Sequence, residues 1–143
     1  MNFFAKTFAE LSVDELYEII KSRQQIFLLE QNIVCQDLDY KDKESLHCFF
    51  WENGRVSAYL RAFKTGDNTV TVGRVLTIYH RKGVGTRLMQ MGVEAIKKHY
   101  GCKKIVLHSQ KQAQVFYEKI GFEAISDEYL EEGIPHITME KQL

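Results

Sequence analysis

The sequence predicts an α/β (α+β) fold, a mixed, mostly antiparallel central sheet flanked by helices. Three observations carry that expectation. Between residues 46 and 78 three β-rich runs follow one another, separated only by short turns, Glu52-Asn53-Gly54 and Thr65-Gly66-Asp67-Asn68. From residue 84 onward, segments of helical and strand periodicity alternate, as a crossover connection requires. The 143 residues are 45% apolar and hold one proline, so one core is sizeable and no Pro-rich linker divides it. One domain spanning residues 1–143 is expected.

The elements follow in order. Asn2 to Phe8 reads as a first strand. Ser12, with Glu15 three residues on, is a capping box, and Leu16, Ile19, Ile20, Ile26 and Phe27 recur at helical spacing up to Glu30. Residues 31–45 are polar and acidic and predict a loop or a short helix. Leu46 to Trp51 and Arg55 to Phe63 flank Asn53-Gly54, a strong hairpin signal. Val56, Ala58, Leu60 and Ala62 are expected to share one face of the second run. Thr69 to Ile78 is the next strand, and Gly73 within it signals a bulge or a close backbone approach. Leu88, Met91, Gly92, Ala95, Ile96 and His99 mark one face of a helix. Lys97, Lys98 and His99 suit its last turn, and Gly101 suits its end. Lys104 to His108 predicts a buried strand. Ala113, Phe116, Tyr117 and Ile120 predict a helix that ends at Gly121. Phe122 to Ser126 and Pro135 to Glu140 are the last expected strands.

Charge and cysteine usage exclude several classes of function. Net charge is zero, which argues against a general nucleic-acid or membrane-surface binder. No apolar run approaches the roughly 20 residues that cross a bilayer, and the N-terminus lacks a signal-peptide pattern. Cys35, Cys48 and Cys102 are odd in number and widely spaced, so neither a disulfide framework nor a zinc site is expected, and a reducing cytoplasm is the simplest setting.

The stretch Tyr79 to Met89, YHRKGVGTRLM, carries the chemistry. Gly83 and Gly85 let backbone N–H groups converge, the helix N-terminus contributes partial positive charge, and Arg81 and Lys82 add full charges. Such a loop suits a pyrophosphate. It is not a nucleotide P-loop, because no Gly-Lys-Ser/Thr follows, and it lacks the third glycine and the distant acidic residue of a dinucleotide fingerprint.

Some thirty residues downstream stand Ala113, Gln114, Val115, Phe116, Tyr117 and then Gly121-Phe122. With the loop, this segment resembles the GNAT superfamily of acyl-CoA-dependent N-acetyltransferases. Residues 23–31, residues 36–39, Gly73-Arg74-Val75 and residues 129–136 are similar to the ElaA-type subgroup, so the resemblance spans nearly the whole chain. It implies a splayed sheet, in which the strand ending near Thr77 and the strand ending near His108 part around the acyl-CoA arm. It also implies acetyl-CoA as cosubstrate and no metal. Backbone groups of Val75, Leu76 and Thr77 would pair with the pantetheine and the acetyl carbonyl. Residues 82–86 (Lys82, Gly83, Val84, Gly85 and Thr86), with Arg81 beside them, would hold the pyrophosphate. Phe116 and Tyr117 would border the thioester, and Gln110 stands where the family commonly has Asn.

An acetyl transfer needs a neutral amine, whereas an alkylamine has a pKa of about 10.4. It also needs donors for the oxyanion and a proton for the departing thiolate. By the resemblance Tyr117 is the acid. The base is open among Glu30, His136, His108 and His47. The acidic residues 36–44 with Glu128, Glu131 and Glu132 suggest attraction of a cationic amine, while Arg23 and Arg74 suggest a carboxylate on the acceptor. The expected partner is a small-molecule or peptide amine, and the resemblance admits a homodimer. The alternative is a non-catalytic acyl-CoA-binding sensor or complex subunit.

Overall fold

The computed structural model describes residues 1–80 and 83–143. Its strands are β1 (Asn2–Thr7), β2 (Leu46–Glu52), β3 (Arg55–Gly66), β4 (Thr69–Thr77), β5 (Lys104–Gln110), β6 (Glu123–Ala124), β7 (Tyr129–Glu131) and β8 (Ile134–Gln142). Its α-helices are α1 (Val13–Arg23), α2 (Val84–Tyr100) and α3 (Gln114–Lys119). The sheet order is β1-β2-β3-β4-β5-β8-β6, with β7 also paired to β8. Every pairing is antiparallel except β4 with β5. This is the mixed, mostly antiparallel sheet that the sequence predicts. None of the described helices is long and apolar enough to cross a membrane.

Local chemistry accounts for the boundaries. Ser12 Oγ accepts from Glu15 N–H at 3.0 Å, and Glu15 Oε1 accepts from Ser12 N–H at 2.8 Å, which closes the capping box. Beyond Arg23, α1 continues as a π-helical segment, Gln24–Glu30, so the expected single helix is wound in two ways. Asn53 and Gly54 both take positive φ, as a two-residue hairpin turn demands. Gly101 ends α2 in the left-handed region.

The sheet separates two apolar clusters. On one face α2 and α3 cover Leu46, Cys48, Phe50, Ala58, Leu60, Ala62, Ile105 and Met139. On the other, α1 and the π-helical segment cover Phe49, Val56, Tyr59 and Leu76 through Ile19 and Ile26.

Three expectations need correction. Val56 does not share the face of Ala58, Leu60 and Ala62. Phe50 pairs with Ala58 and Trp51 with Val56, so Ser57 is an extra residue that inverts the alternation. The buried stripe of α2 is Val84, Leu88, Met89, Gly92, Val93 and Ile96, and Met91 and His99 lie on its exposed side. The strand expected at 122–126 shrinks to Glu123–Ala124, while β7, which the sequence did not announce, pairs with β8.

Beside the β4–β5 pairing the sheet opens. Thr69 to Val72 pair with Lys104 to Leu107, and from Gly73 onward no described strand meets β4 on that side. The cause is a bulge. Arg61 pairs with Gly73 and Tyr59 with Leu76, so Leu60 alone faces both Arg74 and Val75. Arg74 lies at φ +54°. Gly73 thus marks the start of the irregularity, and the left-handed residue is the next one.

Candidate active site

A cavity of about 560 Å³ lies at this opening, a size suited to a small-molecule site. Residues of the 27–41 segment form one wall, the bulged part of β4 and the end of β5 form its floor, and Glu131, Glu132 and His136 of the β7–β8 hairpin close one end. Tyr117 also lines it, although Tyr117 belongs to the cluster on the α2 face. The cavity therefore passes through the gap where β4 and β5 part. A larger groove, about 730 Å³, lies between α1 and the β2–β3 turn. None of the sequence-nominated site residues lines that groove, so the chemistry belongs to the smaller space.

Tyr117 is 8% exposed. Its ring makes edge contacts with Phe116 and Phe122, at centroid distances of 5.0 and 5.9 Å. Burial pushes its phenol well above the usual range, so it keeps its proton at neutral pH. Its hydroxyl has no hydrogen-bond partner among the described residues.

His136 is 7% exposed and enters the cavity from the start of β8. Its Nδ1 lies 2.7 Å from the Ile134 carbonyl, which can only accept, so Nδ1 carries a proton. Glu131 Oε2 stands 3.4 Å from Nε2, placed to stabilise the ring once it is protonated. Tyr129 stacks on the imidazole, and its hydroxyl is held by Thr138 at 2.9 Å and by His108 at 3.0 Å. Glu131 became a partner of His136 only through β7. Its turn, Glu132-Gly133, is a weaker hairpin signal than Asn-Gly.

Of the other nominated bases, His108 also lines the cavity, and Glu30 and His47 are placed differently. Glu30 does not line the cavity, and its carboxylate lies 3.1 Å from His80 Nε2 on the exposed surface. His47 is fully buried, between Tyr59 Oη at 2.7 Å and the Asp42 carbonyl at 2.8 Å. Both ring nitrogens are used, and burial lowers its pKa, so His47 is a neutral structural residue.

The charges assigned to acceptor recognition are largely internal. Arg23 and Arg74 bind Asp37, and Arg61 binds Asp39 and Asp42. Arg61 holds the Asp39 carboxyl far below the usual range. Burial pushes Asp42 up, but Arg23 and Arg61 outweigh it and the net direction is down. Arg23 is buried and Arg74 spends its Nε and Nη2 on Asp37, and the cavity carboxylates without an arginine partner among the described residues are Glu131 and Glu132.

The nominated donor-side residues surround the opening. Val75 lines the cavity, and Leu76 is buried against the α1 side. Gly83 caps α2 at φ +84°. Among the described residues the first bond of the helix ladder is Arg87 N–H to the Gly83 carbonyl, so the N–H groups of Val84, Gly85 and Thr86 precede the ladder and meet no acceptor among the described residues. A Cβ on Gly85 would sit 3.3 Å from the Phe116 ring and 3.9 Å from Thr77 Cγ2, so the loop, β4 and α3 meet there. Gln110 at the end of β5 donates to Gln31 at 2.9 Å. Arg81 and Lys82 lie outside the described residues. Among the described residues no group of three His, Cys, Asp or Glu side chains is placed to hold a metal ion.

Comparison with known proteins agrees with this architecture. A family model described as an acetyltransferase (GNAT) domain matches residues 5–143. The chain is 36% identical to protein ElaA of Escherichia coli strain K12, over 94% of this chain and 92% of that protein. The crystal structure of Escherichia coli ElaA superposes with a TM-score of 0.92, at 32% identity and 99% coverage of both chains. An acyl-CoA N-acyltransferase from Pseudomonas aeruginosa also superposes with a TM-score of 0.92, at 30% identity and 99% coverage of both chains. Splayed sheet, glycine-bearing helix start and similarity along nearly all of its length together identify this chain as an enzyme of the GNAT acetyltransferase family, related to ElaA.

Proposed function

We propose that this enzyme transfers the acetyl group of acetyl-CoA to a primary amine of a small molecule or peptide, by direct attack of the amine on the thioester. The observation that carries the reading is Tyr117. Its hydroxyl is protonated and meets no hydrogen-bond partner among the described residues, in a cavity that runs through the gap between β4 and β5.

The residues present fit the acyl donor. The β5-facing edge of β4 beyond Val72 leaves backbone groups of Val75, Leu76 and Thr77 for the pantetheine and the acetyl carbonyl. The N–H groups of Gly83, Val84, Gly85 and Thr86 suit the pyrophosphate, with Arg81 and Lys82 proposed beside them. Phe116 and Gln110 complete this side. When bound, acetyl-CoA supplies the activated acyl group.

The chain's own residues supply the proton transfers. His136 Nε2 takes the proton of the incoming ammonium, and Glu131 stabilises the resulting imidazolium. Backbone N–H groups at the end of β4 stabilise the developing oxyanion. As the C–S bond breaks, Tyr117 donates its proton to the departing thiolate, and its phenolate takes the proton that the attacking nitrogen sheds on becoming an amide. Glu131 and Glu132 favour a cationic acceptor.

The test is Tyr117→Phe. The variant should retain the heat-stability gain that acetyl-CoA confers, about 2.7 kcal/mol at 100 times Kd, with ATP conferring none. Its turnover on a responsive amine should fall by about 10²–10⁴-fold. Undiminished turnover would remove Tyr117 from the mechanism. A wild-type chain that acetyl-CoA does not stabilise would refute the donor assignment.

A further inference from the structure

Asp37 is gripped twice. Arg23 at the end of α1 donates Nε–H to its Oδ2 at 3.0 Å and Nη2–H to its backbone carbonyl at 3.1 Å. Arg74 in the bulge of β4 donates Nε–H to its Oδ1 at 2.8 Å and Nη2–H to the same carbonyl at 3.1 Å. Each guanidinium spans the carboxylate and the carbonyl of one residue. A lysine ammonium cannot reproduce that planar, two-point contact. Beside this grip Arg61 of β3 donates to both Asp39 oxygens, at 2.8 and 2.6 Å, and to Asp42 at 3.0 Å. Asp42 also accepts from Arg23 at 2.6 Å. Three guanidiniums and three carboxylates leave the lattice neutral.

The lattice sits at the point where the sheet opens. Arg74 is one of the two β4 residues that face Leu60, and Arg61 pairs with Gly73 at the start of the same bulge. The last β4 residue paired with β5 is Val72, two positions before Arg74. A non-glycine residue holds a positive φ only where its surroundings over-determine it. For Arg74, at φ +54°, the surroundings are the four-point junction on Asp37. Asp37 lies in the segment that forms one wall of the cavity.

We infer that Asp37 is a positioning residue. Through Arg74 it holds the bulge that keeps the tail of β4 apart from β5, so that the 27–41 wall sets the width of the acyl-donor cleft. This rests on the acyl-CoA reading above.

The experiment is calorimetric titration of CoA into the wild-type chain, Arg74→Gln, Arg74→Lys, Asp37→Asn and the double variant Asp37→Asn/Arg74→Gln. All are measured well below each melting transition, so that a loss of stability alone leaves the Kd of the folded chain unchanged. Arg74 is half-buried, and Arg74→Gln keeps the Arg23 contacts of Asp37, so this variant reports even if Asp37→Asn does not fold. Each single variant should bind CoA about tenfold more weakly, and Arg74→Lys should not rescue. The double variant should be no weaker than either single one, because both remove the same contact. Wild-type affinity in Arg74→Gln, rescue by Arg74→Lys, or multiplicative losses in the double variant would each overturn the inference. A wild-type chain that does not bind CoA would overturn the donor reading and this inference together.

Discussion

Gly83 and Gly85 stand two apart in one loop, and different constraints act on them. A Cβ on Gly83 would meet nothing within 4 Å, but the residue holds φ +84°. Gly85 has an ordinary backbone, yet its Cβ would press on the Phe116 ring at 3.3 Å. Gly83→Ala should therefore cost about 1–2 kcal/mol through backbone strain. Gly85→Val should cost about 1–3 kcal/mol through overpacking and should also lower activity, because the displaced ring adjoins Tyr117. Urea denaturation of both variants, with turnover measured alongside, separates the two causes. The sequence showed both glycines and could not tell these constraints apart. One is a torsion, and the other is a contact with a residue thirty-one positions away.

The helix α2 and the β7–β8 hairpin mark where periodicity was sufficient and where it was not. Apolar residues at 88, 92 and 96 placed the helix on the sheet, but its rotation came from Gly92. A Cβ there would lie 2.9 Å from Leu60 Cδ2, so the helix rides close on β3 and turns Met89 and Val93 inward rather than Met91 and His99. Gly92→Val should destabilise the fold by about 1–3 kcal/mol, read as a shift of the urea midpoint with an unchanged slope. A neutral effect would mean that the helix can lift from β3 without loss. The hairpin was missed because three residues are too few for alternation to be recognised, and pairing with β8 supplies what local sequence preference does not. With it the sequence missed the juxtaposition of Glu131 and His136.

Across the molecule, buried titratable groups confine stability to a pH window. His47, Asp39 and Asp42 all have pKa values below their ordinary ones. The unfolded chain binds their protons first, so their contribution is present above the unfolded values and is lost as pH falls through the folded ones. The decline should begin below about pH 6.5 with His47 and steepen below about pH 4 with the carboxylates. Burial pushes Cys48 up to about 12 and raises Tyr59 and Tyr117. Their contribution is lost as pH rises above about 8.5–10. The melting temperature should therefore peak between about pH 6.5 and 8.5, and a flat profile would contradict these burial effects. By itself the sequence determined the order of strands and helices apart from β7, and the glycine loop, because periodicity, turn chemistry and spacing are local properties written along the chain, while its resemblance to the GNAT family nominated Tyr117. Only the tertiary structure decided that Asp37, Asp39 and Asp42 answer Arg23, Arg74 and Arg61 instead of a substrate, that Glu30 faces His80 instead of the cavity, and that the sheet opens at Arg74. Those outcomes depend on which charges meet across 14 to 50 residues of chain, and such meetings are settled by packing and register rather than by local preference.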